Sequence, residues 1–185
     1  MISYHKFVGY EGSAYRDGFS VLKNGKLLEE VILKYVWSPI VWKYGIRKSE
    51  NFLYADFLVL DIDEPTEPLE QTVKRFCDHK IIIATTKSHQ KEKNGIICDR
   101  FRMIIPFDQR ITDVVQYKYN MEFILEQCEF ADKACKDAAR LFFPCQKIVY
   151  VNKDKNAYLC NVQKYIPTIE VKTKNPENKV ISQWA

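Results

Sequence analysis

Apolar and β-branched runs along the middle of the chain predict β-strands. The first covers residues 56–63, where the apolar run Phe57-Leu-Val-Leu60 is closed by acidic residues and by Pro65. Its length and its lack of polar alternation are typical of a buried central strand. The runs that follow predict further strands at 80–86, 100–107, 141–143 and 147–151.

Two stretches between these strands have apolar residues at helical spacing. Residues 66–76 and 112–126 both show this period, and Thr66 and Thr112 are candidate N-caps. The polar segment around Gly95 makes the second and third strands a hairpin with a long loop. The resulting order, β-α-β-β-α-β, predicts an α+β fold with the split β-α-β arrangement of RNA-recognition domains.

This order predicts that four separated polar segments meet at one edge of the sheet. The two crossovers make the first and second strands parallel, and the third and fourth antiparallel to them. One edge then collects the C-terminal ends of the first two strands, the start of the third and the approach to the fourth. The polar residues at these points are Asp61, Asp63, Ser88, His89, Arg100, Arg102 and the segment 132–140.

The chain is expected to divide into three parts. Residues 1–55 contain an amphipathic segment, Leu27–Val36, and are expected to form a small N-terminal αβ module packed on the core. Residues 56–165 are the RNA-recognition-like core. Residues 166–185, with Pro and repeated Lys, Asn and Thr, are expected to be a basic tail or linker.

Composition and charge favour a compact protein of the cytoplasm. The 185 residues, 46% of them hydrophobic, can bury one sizeable core. The formal net charge of +4 lies in the last forty residues, where seven lysines face three acidic residues. Such a flank attracts phosphate, and the simpler alternative is a solvated surface. The six cysteines show no C-x-x-C spacing, and no apolar run approaches the roughly 20 residues that cross a bilayer.

Asp61 and Asp63 are the first candidates for chemistry. Two positions apart on a strand, their side chains are expected on one face, about 6.6 Å apart along the chain. Carboxylates this close repel each other unless a cation lies between them. Carboxylate oxygens suit Mg²⁺ or Mn²⁺, and a pair leaves coordination sites for substrate phosphates. The alternative is that the strand simply ends in solvent.

A second group consists of hydrogen-bond donors around the next two strands. His89 follows Thr86-Lys87-Ser88, a cluster that suits a triphosphate. Arg100 and Arg102 share a face by the strand period, so both guanidinium groups are expected to face one edge for bidentate phosphate contacts. The alternatives are a surface histidine and arginines that form salt bridges.

The segment before the last strand offers a third carboxylate. Asp132 and Asp137 both lie near Arg140, and either is a candidate ligand, while the other could cap a turn or pair with Arg140. The nearby cysteines match no ordinary zinc spacing.

Together these motifs resemble the archaeo-eukaryotic primase superfamily, nearest to the primase-polymerases of phages, plasmids and other mobile elements. The likeness spans roughly residues 45–145 and rests on Asp61-x-Asp63, Thr-Lys-Ser-His89, the arginine-bearing strand and Asp132 eight residues before Arg140. The family usually has Ser-x-His, whereas Lys87 stands two positions before His89 here. The role of Ser88 therefore departs from the family pattern.

The resemblance implies a role for each of these residues. It assigns two divalent cations, Mg²⁺ or Mn²⁺, to Asp61, Asp63 and Asp132, with Asp132 preferred to Asp137 for its distance from Arg140. It assigns the triphosphate to His89, supported by Lys87, Ser88, Arg100, Arg102 and Arg140.

The implied activity is template-directed nucleotidyl transfer, in which a 3′-hydroxyl attacks the α-phosphorus of a nucleoside triphosphate. The implied partners are single-stranded DNA, nucleoside triphosphates and a helicase domain or other replication protein, without a membrane. Four N-terminal aromatic residues are candidates for stacking on template bases or for a core: Tyr35, Trp37, Trp42 and Tyr44. The alternative function is a non-catalytic single-stranded nucleic-acid-binding domain of the same fold, which leaves the paired acids unexplained.

Overall fold

A computed structural model describes residues 1–6, 15–64, 66–154 and 156–163. Within these ranges, no helix has the length and apolar character needed to cross a membrane. The strands are β1 Ser3–His5, β2 Ser20–Val21, β3 Val36–Ser38, β4 Ile40–Trp42, β5 Phe52–Ile62, β6 Ile81–Thr85, β7 Phe101–Ile111 and β8 Lys147–Asn152. The α-helices are α1 Leu28–Lys34, α2 Leu69–Arg75 and α3 Val114–Gln127.

A five-stranded antiparallel sheet forms the centre of the molecule. Its order is β4-β5-β7-β6-β8, and every neighbouring pair is antiparallel. Strands β5 and β6 therefore run in the same direction on either side of β7, as the sequence predicts for a split β-α-β unit. The α+β class is confirmed. Strand β8 is an edge strand beside β6.

The two faces of this sheet are covered by different parts of the chain. Leu58, Leu60 and Ile62 of β5 are fully buried in a core cluster that includes residues of α3. The alternate residue Val59 belongs to a second cluster with residues of α1 and Trp37. Each buried aliphatic side chain contributes about 1.5–3 kcal/mol to the free energy of unfolding. Because strand side chains alternate, Asp61 lies on the same face as Val59.

The connection between α3 and β8 passes around the end of the sheet. Its first half, with Ala131 and Cys135, packs in the cluster that contains α3, and its second half, with Phe142, packs in the opposite cluster. The backbone N–H of Asp132 donates to the carbonyl oxygen of Asp61 at 2.8 Å. This passage brings a distant segment of sequence against the C-terminal end of β5.

Several element boundaries differ from the sequence predictions. Helix α2 begins at Leu69 after Pro68 and has no side-chain cap. The hydroxyl of Thr66, the predicted cap, instead donates to the carbonyl oxygen of Phe130 at 3.3 Å. The N-cap of α3 is Asp113, whose carboxylate accepts from the Gln116 N–H. The predicted strand at 141–143 is only an isolated bridge, between Phe142 and Trp37.

The N-terminal residues contribute to both sheets. A small antiparallel sheet has the order β2-β1-β3, while β4 is an edge strand of the large sheet. The expected boundary between residues 55 and 56 therefore falls inside β5, whose first residue is Phe52. The division into a module and a core stays a prediction, and the tail at 166–185 lies outside the described residues.

Candidate active site

A polar cleft of about 580 Å³ lies at the C-terminal end of β5. Strand ends, the loop after β6 and the connection before β8 form its walls. Five of the nine candidate residues from the sequence line it: Asp61, Asp63, Ser88, Arg102 and Arg140. A sixth, Asp132, contacts the lining residue Arg140. The topology thus brings together segments about seventy residues apart, as the strand order predicts.

Asp61 is held by Arg102 on the neighbouring strand. The two residues are register partners in the antiparallel β5–β7 pair, and Arg102 Nε donates to Asp61 Oδ1 at 3.0 Å. Arg102 Nη1 donates to the carbonyl oxygen of Phe143 at 2.6 Å, and its guanidinium lies over the Phe142 ring. Burial lowers the pKa of Arg102, but the Asp61 carboxylate and Cys145 outweigh it, so the pKa is raised. Arg102 is therefore a permanent buried cation that orients Asp61.

Asp61 and Asp132 converge on one nitrogen of Arg140. Arg140 Nη2 lies 3.0 Å from Asp132 Oδ2 and 3.6 Å from Asp61 Oδ2. The other oxygen of Asp132 accepts from the Ala134 N–H at 2.8 Å and caps the short 3₁₀ helix Lys133–Lys136. One nitrogen of Arg140 therefore lies near both carboxylates, and the hydrogen bond from Ala134 fixes the side chain of Asp132.

Asp63 also lines the cleft, just beyond the last residue of β5. It forms an ion pair with Lys93, and Arg100 Nε lies 3.4 Å from Asp63 Oδ1. Asp63 lies outside the strand, so the alternation of strand side chains does not fix the direction of its side chain, although both acids line the same cleft. Its side chain is 37% exposed, compared with 13% for Asp61, so it is the more accessible of the two.

Arg100 closes the long loop between β6 and β7. It is 2% exposed, and its guanidinium donates to four backbone carbonyl oxygens at 2.8–3.1 Å. The acceptors belong to Asp63, Ser88, Lys91 and Ile96. Four of its five N–H groups are thus used within the fold. The guanidinium shapes the loop and does not face the cleft as the strand period predicts.

The turn after β6 presents hydroxyl groups to the cleft and places a histidine behind them. Thr86 and Ser88 both line the cleft, and their hydroxyl oxygens are 3.1 Å apart. His89 Nδ1 accepts from the Arg100 N–H at 3.2 Å, which leaves Nε2 as the proton-bearing nitrogen. Lys87 is exposed on the same turn. Ser88 lines the cleft, whereas His89 is not among the residues that line it.

Asp137 is held mainly by its own turn. Its Oδ1 accepts from the Ala139 N–H at 2.9 Å, and it lines the cleft together with Arg47. Burial lowers the pKa of Arg47, and the Asp137 carboxylate partly offsets this. Of the two candidate third carboxylates, Asp132 is the one that shares Arg140 with Asp61.

The donor set has the chemistry of a divalent-cation site. Among the described residues, no three acidic, histidine or cysteine side chains are grouped so as to hold a metal ion by themselves. Mg²⁺ commonly takes only one or two protein carboxylates and completes its shell with water and substrate phosphates. The Oδ2 atoms of Asp61 and Asp132 meet that need, because a cationic nitrogen already lies within 3.6 Å of both.

Sequence reasoning missed three residues of this site. Arg47 and Lys93 line the cleft, and the N–H of Asp61 donates to the sulfur of Cys135 at 3.3 Å. Arg47 is followed by Lys48, and Lys93 lies in the polar loop after β6, so local positive charge was the only signal for either residue. Cys135 gave no signal, because a buried cysteine is common in any core.

The fold is similar to that of a phage primase-polymerase domain. The structure matches the archaeo-eukaryotic primase domain of the Cyanophage S-2L primase-polymerase with a TM-score of 0.50, over 85% of this chain and 83% of that one, at 11% sequence identity. The chain belongs to the VapE N-terminal domain family, whose model matches residues 40–169. No curated protein sequence matches the chain.

Proposed function

We propose that this primase-like domain catalyses template-directed transfer of nucleotides from nucleoside triphosphates, as a DNA primase-polymerase in the replication of a phage, plasmid or mobile element. The observation that carries the proposal is the approach of Asp61 Oδ2 and Asp132 Oδ2 to a single nitrogen of Arg140, inside a polar cleft. A domain that only binds a nucleic-acid backbone has no use for carboxylates gathered at its binding edge.

The carboxylates are assigned to divalent cations. Asp61 and Asp132 would hold one Mg²⁺ or Mn²⁺, and the half-exposed Asp63 would contribute once it leaves Lys93. Bound there, such ions neutralise the charge of the triphosphate and favour attack by the 3′-hydroxyl on the α-phosphorus with release of pyrophosphate. Arg102 holds the Asp61 carboxylate in a fixed orientation for this role through the hydrogen bond from Nε to Oδ1.

The triphosphate is assigned to the wall formed by the turn after β6 and the loop that follows it. Thr86 and Ser88 offer hydroxyl donors and Lys93 offers an ammonium group, all lining the cleft. His89, with its proton on Nε2, and the exposed Lys87 extend this wall. Arg140, which contacts both Asp61 and Asp132, would be a further phosphate donor if a bound cation took its place between these carboxylates.

The test is extension of a labelled primer on a single-stranded template, with ribo- or deoxynucleoside triphosphates and Mg²⁺ or Mn²⁺, beside an unprimed reaction. Products in both reactions, dependent on metal, are the expected result. Extension alone would indicate a polymerase that needs another domain for priming. Absence of product with template binding intact would favour the non-catalytic nucleic-acid-binding alternative.

Conservative variants connect the activity to the cleft. Asp61→Asn and Asp63→Asn keep hydrogen-bond acceptors for Arg102 and Lys93 but remove the charge, and each is expected to lower extension by about a thousandfold. Asp56→Asn is the matched control, because Asp56 lies in the same strand and pairs with Arg110 outside the cleft. Normal extension by the Asp61→Asn, Asp63→Asn double variant would overturn the metal assignment.

The proposal includes the partners and location expected from the sequence. These are a single-stranded DNA template, nucleoside triphosphates and a helicase domain or other replication protein, in the cytoplasm of the cell that contains the element.

A further inference from the structure

One short loop at the edge of the cleft combines an exposed aromatic ring with basic side chains. It follows β4 and comprises residues 43–48, with Tyr44 at its tip. The Tyr44 side chain is 91% exposed, the largest exposure among the large apolar side chains that the structure describes. By contrast, Trp37 and Trp42, which the sequence offered as equal candidates for base stacking, are 0% and 2% exposed and belong to the core.

The backbone holds this ring outward. Tyr44 has a φ of 59°, in the left-handed region that a bulky residue seldom adopts. Gly45 follows with a φ of 66°, and a Cβ at that position would lie 2.3 Å from the carbonyl oxygen of Phe19, so the turn is pressed against the chain beneath it. Strained backbone of this kind persists where the surroundings fix it, and it is concentrated at binding sites.

Both ends of the loop are tied to the cleft wall. Trp42 Nε1 donates to the carbonyl oxygen of Ala138 at 3.0 Å, and Arg47 lines the cleft beside Asp137. The Arg47 N–H also donates to the carbonyl oxygen of Arg16 at 2.8 Å. The exposed ring therefore lies on a loop that is anchored at both ends and that reaches the cleft through Arg47.

The loop carries positive charge without acidic residues. Lys43, Arg47 and Lys48 contribute three cations, and residues 43–48 contain neither Asp nor Glu. Lys43 is exposed, and among the described residues no ion pair includes Lys43 or Lys48. An aromatic face flanked by cations is the arrangement that binds a single strand, with the ring under a base and the cations near phosphates.

We infer that Tyr44 is a stacking platform for a base of single-stranded nucleic acid, with Lys43 and Lys48 contacting the adjacent phosphates, so that the strand enters the cleft over this loop. The inference deepens the proposed function by placing the template, and it rests on that function for the identity of the strand as template. Stacking on a tyrosine face is tolerant of sequence, because every base has such a face.

The experiment measures the binding of a short labelled strand of deoxythymidine by fluorescence anisotropy, without nucleotide or metal. Tyr44→Ala is expected to weaken binding roughly tenfold, and Tyr44→Phe is expected to bind like the unaltered chain, because the ring and not the hydroxyl makes the contact. Tyr119→Ala, at a 40% exposed tyrosine on α3 outside the cleft lining, is the matched control.

Two further measurements separate stacking from a structural role. An abasic strand of the same length should bind equally to the unaltered chain and to Tyr44→Ala, because no base is present to stack. Tyr44→Gly relieves the left-handed backbone, so it is expected to keep the unfolding temperature while losing binding as Tyr44→Ala does.

The outcomes are distinguishable from those of the proposed function. An unchanged affinity of Tyr44→Ala, an equal loss in Tyr44→Phe, a difference that persists on the abasic strand, or no binding of the unaltered chain would each overturn the inference. A chain that fails to extend primers but shows the Tyr44 effect would retain the inference and lose the proposed activity. If the chain extends primers while Tyr44→Ala binds the strand normally, the proposed activity is retained and the inference about Tyr44 is lost.

Discussion

Arg102 and Asp61 face each other across the β5–β7 pair, with Arg102 Nε 3.0 Å from Asp61 Oδ1, and both side chains are nearly buried. This contact both stabilises the β5–β7 strand pair and fixes the orientation of a carboxylate that lines the cleft. The sequence suggested that Arg102 binds phosphate. The structure uses it to hold the carboxylate that the proposed metal requires, and Asp61 in turn compensates the charge of Arg102.

Replacing Arg102 with Met is expected to lower the free energy of unfolding by about 3 kcal/mol, because the substitution removes the nearer cationic partner of the largely buried Asp61 carboxylate and leaves Arg140 at 3.6 Å. Urea denaturation measures the change. Arg110→Met is the control, since Arg110 is 39% exposed, and loss of its pair with Asp56 should cost about 1 kcal/mol or less. An equal decrease in the free energy of unfolding in the two variants would contradict a larger contribution from the buried ion pair of Arg102.

Replacing Arg140 with Ala is expected to strengthen the binding of Mn²⁺ several-fold in the absence of nucleotide. The reason is electrostatic: the guanidinium now occupies the position between Asp61 and Asp132, so a metal ion must displace it. Isothermal titration calorimetry gives the dissociation constants. The same variant should bind a nucleoside triphosphate more weakly when metal is saturating, so opposite changes in the two affinities are the expected signature. Weaker metal binding would show that Arg140 does not compete for this position.

Replacing Arg100 with Ala is expected to release the loop between β6 and β7. Its guanidinium donates hydrogen bonds to the carbonyl oxygens of Ser88, Lys91 and Ile96, and alanine has no group that can replace them. Amide hydrogen exchange across 87–98 should accelerate at least about tenfold, while exchange in α3 stays unchanged. Lys91→Ala, at an exposed position of the same loop, is the control. Unchanged exchange in Arg100→Ala would mean that other contacts hold the loop.

Stability is expected to fall as the pH rises above about 9. The six cysteines are free, and burial raises the pKa of Cys128 to about 11 and those of Cys135 and Cys160 to about 12. These thiols stay protonated in the folded chain but ionise near pH 9 in the unfolded chain. Their contribution to the free energy of unfolding is therefore complete below pH 9 and is lost as the pH rises toward their folded-state pKa values.

Thermal unfolding at pH 8, 9 and 10 under reducing conditions tests this expectation. A steady decrease in the unfolding temperature above pH 9 is the expected course. Alkylation at pH 8 provides an independent check, since exposed Cys77 should react well before the buried thiols. Rapid modification of Cys135 in the folded chain would contradict the burial on which both expectations depend.

Local pattern in the sequence was enough to predict the central strands and to locate the acidic residues at their ends. The apolar run before Asp61 predicts a buried strand because burial on both faces requires continuous apolar side chains, and the run is complete within eight residues. The parallel direction of β5 and β6 followed from chain connectivity. These features need no knowledge of distant segments.

Only the tertiary structure decided how the charged and aromatic side chains are used. Arg100 and Arg102 are equivalent in the sequence pattern, yet Arg100 meets four carbonyl oxygens of a loop and Arg102 meets Asp61. Likewise, Trp42 and Tyr44 are two residues apart, but one is in the core and the other is almost fully exposed.

The physical reason is that a guanidinium or an aromatic ring can satisfy its contacts in several ways of similar free energy. The choice depends on which chain segment passes within a few ångströms. The connection from α3 to β8 has the largest effect on the site, because it brings Asp132 and Arg140 around the end of the sheet to Asp61. Periodicity determines which face of a strand a residue occupies, and long-range packing determines what it meets there.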